Sequence, residues 1–445
     1  LIADIFYEVN VMPLLSIVIP VHNVENYIEE CLKSILNQNF NDYEVILVND
    51  ASTDRSGEIC DEYASKYKNI KVIHLKGNSL PGGARNAGLK KAEGEYIHFC
   101  DSDDYYLDNV FSYISENIKK SFPTVLLGQF ISLPEKGAYV CKDVKLDPDI
   151  FISGDSITLA RYLLGIPNFL CTVWRFIVKR EFLMSNNIMF PEGCISEDEE
   201  WVIRMMCSAD RFALLTEPFY CYRPRAYGSL TSKKTYLHSK SKLIVSFNLL
   251  RFLKCKKYED FRKELIYSKV NMLLGSFATR CDTFNSEQIQ ELADIIEKSS
   301  DVVSALNQIP DRRDLYCYIN NYGAYKGLSL YCEHVVNETL RLVHGKEDKD
   351  IFIFPTGNNG ESTARILQNA GYNVKGFFDN SRTKNNCIIN TLPVRLPGVL
   401  KDMSPEELEN IFVVVTNQQR HVANEIMDQL RGYGLNDSQF VSRIY

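Results

Sequence analysis

The sequence predicts an α/β protein in three parts: a parallel sheet covered by helices, a helical region, and a second, smaller α/β domain. Three observations lead there. Short apolar runs alternate with helix-period stretches from Leu14 onward, the composition changes after about Thr231, and a strand–turn–helix–strand pattern begins at Asp350. The implied boundaries are 13–230, 231–347 and 348–445.

Each element follows from local pattern. Leu15 to Pro20 is an apolar run of strand length, and Val24 to Gln38 repeats apolar residues at Ile28, Leu32, Ile35 and Leu36, a helical spacing. Glu44–Asn49 and Ile70–Leu75 read as the second and third strands, with a helix over Asp54–Tyr67 between them. Gly82-Gly83 opens a helix that ends before Gly94. Tyr96–Cys100 is the next strand. Such β-α alternation favours a nucleotide-binding α/β domain over a sandwich or bundle. The stretch from Thr124 to Arg225 is less regular, with helices expected at Asp155–Leu164 and Asp198–Cys207.

Residues 233–257 hold eight Lys or Arg and no Asp or Glu, interleaved with Leu243, Ile244, Phe247, Leu250 and Phe252. A basic amphipathic helix of this kind suits peripheral contact with an anionic membrane face or a lipid diphosphate acceptor; the plainer reading is a core-facing helix with a solvated basic side. The helical region runs to about Gly345. Beyond it, Ile351–Phe354, Glu361–Asn369, Val374–Phe378 and Ile411–Thr416 form a small Rossmann-like unit. Its loop Gly357 to Ser362 keeps only the first glycine of G-x-G-x-x-G, while Asp379 stands where a ribose-binding acid would. A structural, docking or homo-oligomerisation role is the alternative for this unit.

Composition narrows the function classes. With 445 residues, 45% hydrophobic and 24% charged, the chain is an ordinary globular protein with ample core. A net charge of -7 argues against a general nucleic-acid binder. Thirteen cysteines, none in a C-x-x-C pair, read as reduced thiols of a cytoplasmic protein. The run Val9–Val24 is broken by Pro13 and Pro20 and is too short for a membrane span. Met12 is read as a natural start, which makes residues 1–11 an extension.

The chemistry concentrates in two acidic groups. Asp101-Ser102-Asp103-Asp104 follows a buried strand directly, so its carboxylates leave the carboxyl end of the sheet, where such sheets bind ligands. Carboxylates this crowded favour a hard cation, Mg²⁺ or Mn²⁺, that bridges to phosphates; capping of the next helix is the competing reading. Glu197-Asp198-Glu199-Glu200 opens a helix, which the helix dipole alone explains in part, but four carboxylates exceed what a helix start requires. One of them is suited to general-base work. Pro20, Val21 and His22 end the first strand, where a backbone edge and a flat ring hold a nucleobase. Asp50 ends the second strand and accepts from a base N–H or caps its own turn through Thr53. Arg85 reaches phosphate oxygens or the Asp101 group, unless it is a surface ion pair. Asn78 lines the same site.

Five motifs in order resemble the inverting family 2 glycosyltransferases of GT-A fold over residues 14–230: Ser16 to Asn23 (SIVIPVHN), Val48 to Asp54 (VNDASTD), Gly83 to Gly88 (GARNAG), Asp101 to Asp104 (DSDD) and Glu197 to Trp201 (EDEEW). The family more often has Tyr at the His22 position. The resemblance implies a nucleotide-diphosphate sugar donor, UDP-linked by expectation, and Mn²⁺ or Mg²⁺ held by Asp103 with Asp101. It implies Asp198 as base with Glu197 beside it, and nucleotide contacts from Pro20, Val21, His22, Asp50, Asn78, Arg85, Asp101 and Ser102. Trp201 would offer an apolar platform to a sugar, and Trp174 and Glu192 would shape the acceptor pocket. Arg223 and Arg225, in a mobile loop running to Gly228-Ser229, would bring positive charge to the diphosphate. The expected acceptor is a hydroxyl of a glycan or lipid-linked saccharide in surface polysaccharide synthesis, at the inner membrane face. Two alternatives stand beside it: a noncatalytic nucleotide-sugar-binding scaffold and a sugar nucleotidyltransferase.

Overall fold

The computed structural model describes residues 12–133, 146–153, 156–165, 172–225, 235–258, 260–417 and 419–443. Residues 1–11, Asp155 and the Gly228-Ser229 pair of the expected loop lie outside them. The chain divides into two compact units, one of residues up to Ser241 with Phe252–Ile266, the other of Lys242–Arg251 with Tyr267 onward.

In the first unit the elements run β1 (Leu15–Val21), α1 (Ile28–Leu36), β2 (Tyr43–Asn49), α2 (Ser56–Lys66), β3 (Ile70–His74), α3 (Leu80–Lys91), β4 (Tyr96–Phe99), β5 (Tyr105–Tyr106), α4 (Val110–Ser121) and β6 (Val125–Ser132). They continue with α5 (Pro148–Ser153), α6 (Ser156–Gly165), β7 (Phe176–Lys179), α7 (Arg180–Ser185), α8 (Glu197–Ser208) and β8 (Phe212–Tyr222). One mixed sheet has the order β3-β2-β1-β4-β7-β6-β8-β5. The strands β3, β2, β1 and β4 are parallel, whereas β7 is antiparallel to both β4 and β6.

Alternation of side chains across the parallel strands feeds two apolar layers. Ile17, Ile19, Val45 and Leu47 pack with Ile28, Leu32 and Ile35 of α1 and Phe111 and Ile114 of α4. Val18, Ile46 and Val48 face the other way and pack with Ala84 and Leu89 of α3 and Trp201, Val202 and Met205 of α8. Burial on both faces is why β1 and β2 read as unbroken apolar runs. The strands β6, β7 and β8 fall in the stretch without a clear period, and β6 and β8 pair across a register shift between Leu127 and Phe130.

Helix α9 (Tyr236–Lys256) is buried or half-buried at every position from Tyr236 to Leu250. The expected amphipathic helix therefore lacks a continuous exposed basic face there; Lys254, Lys256 and Lys257 are exposed at its end. Helices α10 (Phe261–Ala278), α11 (Ser286–Lys298), α12 (Ser300–Val303), α13 (Arg313–Tyr322) and α14 (Ala324–Arg341) follow. Among the described residues no helix is long and apolar enough to cross a membrane.

The last part of the second unit is a Rossmann-like sheet. It runs β9 (Asp350–Phe354), α15 (Asn358–Asn369), β10 (Val374–Phe378), β11 (Ile388–Ile389), β12 (Leu392–Arg395), α16 (Pro405–Glu409), β13 (Ile411–Val415), α17 (Arg420–Gly432) and β14 (Phe440–Ser442). The strand order is β11-β12-β10-β9-β13-β14, parallel except for β11. Helix α15 covers one face through Ala364 and Leu367, and α17 covers the other through Ala423, Ile426 and Leu430.

Candidate functional site

In the first sheet β1 lies between β2 and β4, so the chain's winding reverses there and opens a crevice at the carboxyl ends of these strands. Val21 and His22 leave β1, Asp50 follows β2 and Asp101 follows β4. Sequence-distant motifs thus meet at one topological point.

On the β2 side the loops are tied by hydrogen bonds. His22 Nδ1 donates to the Asp50 carbonyl at 2.7 Å, which leaves Nε2 as the acceptor for the Asn78 amide at 3.1 Å. Asp50 Oδ1 accepts from the Ser79 N–H at 2.6 Å and its hydroxyl at 2.8 Å. Its Oδ2 makes no hydrogen bond among the described residues, while the residue is only 3% exposed. A carboxylate held in place through one oxygen can accept a further hydrogen bond through the other.

Arg85 joins the two acidic motifs. Its Nη2 donates to Asp101 Oδ1 at 2.7 Å and its Nη1 to Glu197 Oε1, with the guanidinium 5.5 Å over the Phe190 ring. Burial works against its charge, but Asp101 and Glu197 outweigh that and hold it above the ordinary arginine value. Close approach makes the bridge feasible. A Cβ on Gly82 would meet the Pro191 carbonyl oxygen at 2.8 Å and the Glu197 side chain at 3.1 Å, and one on Gly88 would meet Val18 Cγ1 at 2.3 Å. The two glycines let α3 lie against α8 at one end and against the sheet at the other. Asn86 completes the mount: its side-chain amide exchanges hydrogen bonds with the Phe190 backbone at 2.9 and 3.0 Å and reaches Glu192 at 3.3 Å.

The acidic loop is closed by the end of β8. Asp103 pairs with Arg225 at 2.7 Å. Asp104, fully buried, accepts from the Tyr220 hydroxyl at 2.9 Å and the Arg223 N–H at 2.7 Å. The Arg223 side chain pairs with Glu30 at 2.7 Å and lies over Tyr27 and Tyr105, and Arg225 covers Tyr27 from 5.3 Å. Burial pushes Asp103 and Asp104 above the usual carboxylate range, their neighbouring carboxylates adding to it and Arg225 opposing it at Asp103. Ser102 is buried in the same loop.

Asp198 occupies the first turn of α8, half-buried, with Oδ1 accepting from the Glu199 N–H at 2.9 Å. Glu197 beside it is held by Arg85. Trp201 goes elsewhere: it is fully buried and stacked on Phe190 at 5.1 Å, so it offers no platform to a sugar. It packs edge-on against Phe99 of β4 as well, in the apolar layer between α8 and the sheet. Trp174 is likewise enclosed, stacked on Tyr220 and Tyr222, whereas Glu192 is exposed. Sequence reasoning passed over Tyr220, Ser79 and Asn86. Asn86 and Gly82 lie within or beside the quoted glycine motif, but Tyr220 sits in an aromatic strand run that reads as core.

No group of three metal-ligating side chains occurs among the described residues. Asp103 and Asp101 offer two carboxylates from one loop, which fits Mg²⁺ or Mn²⁺ of the kind completed by substrate phosphates and water rather than by an all-protein cage.

The profile of Glycosyl transferase family 2 matches residues 16–139. The uncharacterized glycosyltransferase EpsJ of Bacillus subtilis is 35% identical over 214 residues, 48% of this chain and 61% of that protein. The poly(ribitol-phosphate) beta-glucosyltransferase of Bacillus spizizenii is 28% identical over 367 residues, 81% of this chain and 54% of that protein. The chain therefore spans somewhat more than half the length of these two relatives. The solved structure of Staphylococcus aureus TarS 1–349 in complex with UDP-GlcNAc superposes with a TM-score of 0.53 at 23% identity, covering 73% of this chain and 92% of that one, which shows a shared fold. Residues 16–139 thus form a glycosyl transferase family 2 domain, and the fold around them is shared with TarS.

Proposed function

We propose that the chain moves a sugar from a UDP-sugar to a hydroxyl of a glycan or lipid-linked acceptor in surface polysaccharide synthesis, with inversion at the anomeric carbon. The observation that carries this reading is the Arg85 bridge, because one buried guanidinium bonds both Asp101 of the donor motif and Glu197 of the base-bearing helix. In this reading Asp198 takes the proton of the acceptor hydroxyl as its oxygen attacks the anomeric carbon, and the glycosidic electrons leave with the nucleoside diphosphate. A divalent cation bound at Asp103 and Asp101 would supply Lewis-acid stabilisation of that leaving group. Asp50 and His22 hold the base, Asn78 steadies His22, and Arg223 and Arg225 add positive charge beside the diphosphate. Relatives named poly(ribitol-phosphate) beta-glucosyltransferase and poly(ribitol-phosphate) beta-N-acetylglucosaminyltransferase support sugar transfer to a polymer acceptor.

The test is release of nucleoside diphosphate from a panel of nucleotide sugars, with and without a poly(ribitol phosphate) acceptor. Asp198→Asn is expected to lower transfer by about 10² to 10⁴-fold while donor binding survives. Near wild-type transfer would remove Asp198 from the base role. Transfer that persists after exhaustive chelation would remove the cation, and nucleotide-sugar binding without any transfer would favour the noncatalytic scaffold.

A further inference from the structure

The Rossmann-like sheet has a reversal point of its own, at β9 between β10 and β13, and a cavity of about 270 Å³ opens at the carboxyl ends of these strands. Its apolar part comes from Phe354, Pro355, Val422 and Ile426. The polar lining is made of carboxylates and amides alone: Asp379, Asn380, Asn417, Glu425 and Gln429, with no Lys or Arg. Asp379 is consumed by its own loop. Its Oδ2 accepts from Thr356 and from Lys384 at 3.1 Å, and its Oδ1 from the Ser381 N–H at 2.9 Å. Asn380 and Gln429 pair with each other at 2.9 and 3.0 Å. That leaves the Asn417 amide nitrogen as donor and the Glu425 carboxylate as acceptor, neither engaged within the protein among the described residues.

We propose that this crevice binds a neutral sugar ring through vicinal hydroxyls, the ring lying on the apolar floor while Asn417 donates to one hydroxyl and Glu425 accepts from its neighbour. The ring belongs to a nucleoside or to a free hexose. A phosphate-bearing anchor is disfavoured, because no cation lines the cavity and Glu425 would repel it. The volume, just below the roughly 300 to 1,000 Å³ of common ligand pockets, suits one ring or a nucleoside and not an oligosaccharide.

Hydrogen–deuterium exchange of the full chain tests this with uridine, N-acetylglucosamine and inorganic phosphate as separate probes at millimolar concentration. Protection is expected in peptides covering 354–380 and 420–429 with uridine or with the hexose, which identifies the source, and none with phosphate. Glu425→Leu and Asn417→Leu, both at the cavity rim, should each weaken half-saturation by about tenfold, one hydrogen bond's worth. No protection with either sugar, equal protection with phosphate, or protection unchanged in both variants would overturn the proposal. None of these outcomes bears on the transferase reading, whose residues lie in the other unit.

Discussion

The described residues form two sheets, each with a reversal point among its parallel strands, and they use it differently. At the first, unlike charges converge from separate segments: Arg85 from α3, Asp101 and Asp103 after β4, Glu197 from α8, Arg225 after β8. At the second, the one buried acid, Asp379, is satisfied by Thr356 and Lys384 nearby, and the remaining lining is neutral apart from Glu425. Topology opens a crevice in both cases. What the crevice can hold depends on whether the surrounding helices and loops bring charge that the fold itself does not use up.

The contrast is broken most severely by removing Arg85. Arg85→Met leaves Asp101 and Glu197 without their common partner, and stranding a buried charge costs about 3 to 5 kcal/mol. Urea unfolding should show that loss. Adding Glu197→Gln should recover part of the stability but none of the donor binding; full additivity of the two changes would mean that the bridge is not a unit.

The next effect is a pH dependence beneath the first site. His98 of β4 is fully buried, with Nε2 bonded to the Trp174 carbonyl at 2.8 Å and Nδ1 to the Tyr106 hydroxyl. Burial lowers its pKa from 6.5 to about 4. Between these values the unfolded chain binds a proton that the folded one refuses, so stability contributed above pH 6.5 is lost as pH falls towards 4. The loss is on the order of 3 kcal/mol. His98→Gln should flatten the pH dependence of the urea midpoint over that window. An unchanged slope would place the acid sensitivity elsewhere.

Gly88 tests how closely α3 must lie. In Gly88→Ala the new methyl meets Val18 Cγ1 at 2.3 Å and Val48 Cγ2 at 3.2 Å, both on the sheet, and overpacking of this kind costs about 1 to 3 kcal/mol. Because Arg85 rides on the same helix, donor affinity should fall together with thermal stability. A variant that loses stability and keeps full donor affinity would show that Arg85 tolerates displacement of its helix.

These cases also mark what was legible in the sequence. Strands β1, β2 and β4 were, because burial on both faces writes them as largely apolar runs ending in polar motifs, and the half-exposed edge strand β3 was legible from its short β-branched run. The strands β5 to β8 were not: β8 carries Thr216, Glu217 and Pro218 at its middle, where the pairing with β6 shifts register, so neither a period nor a run survives. The acids of both motifs could be read from their positions after a strand and at a helix start. The partner of Asp104 could not, since Tyr220 lies 116 residues away on a strand without a signature. Trp201 misled for a related reason. A Trp beside four carboxylates resembles a sugar platform until the helix phase is known, and on α8 that phase turns it into the core.

The smallest expected effect concerns Asp379, and it separates the two crevices. Asp379→Asn weakens the acceptance from Thr356 and removes the charge opposite Lys384, which is 44% exposed, so solvent screens much of the pair. A stability loss of about 1 to 2 kcal/mol is expected, mostly from the buried hydrogen bonds. Burial opposes the ionised form of Asp379, but its hydrogen bonds with Thr356, Ser381 and Lys384 prevail and hold its pKa below the usual carboxylate value. The wild-type chain therefore owes this acid stability that is present above the unfolded carboxylate pKa and is lost as pH falls through the folded one, and the variant should lack that acid-limb contribution. Sugar transfer at neutral pH should not change, because every residue assigned to it belongs to the first unit. Measuring transfer and unfolding on the same preparation decides the matter: a drop in transfer beyond that explained by unfolded protein would mean that the second crevice acts on the first.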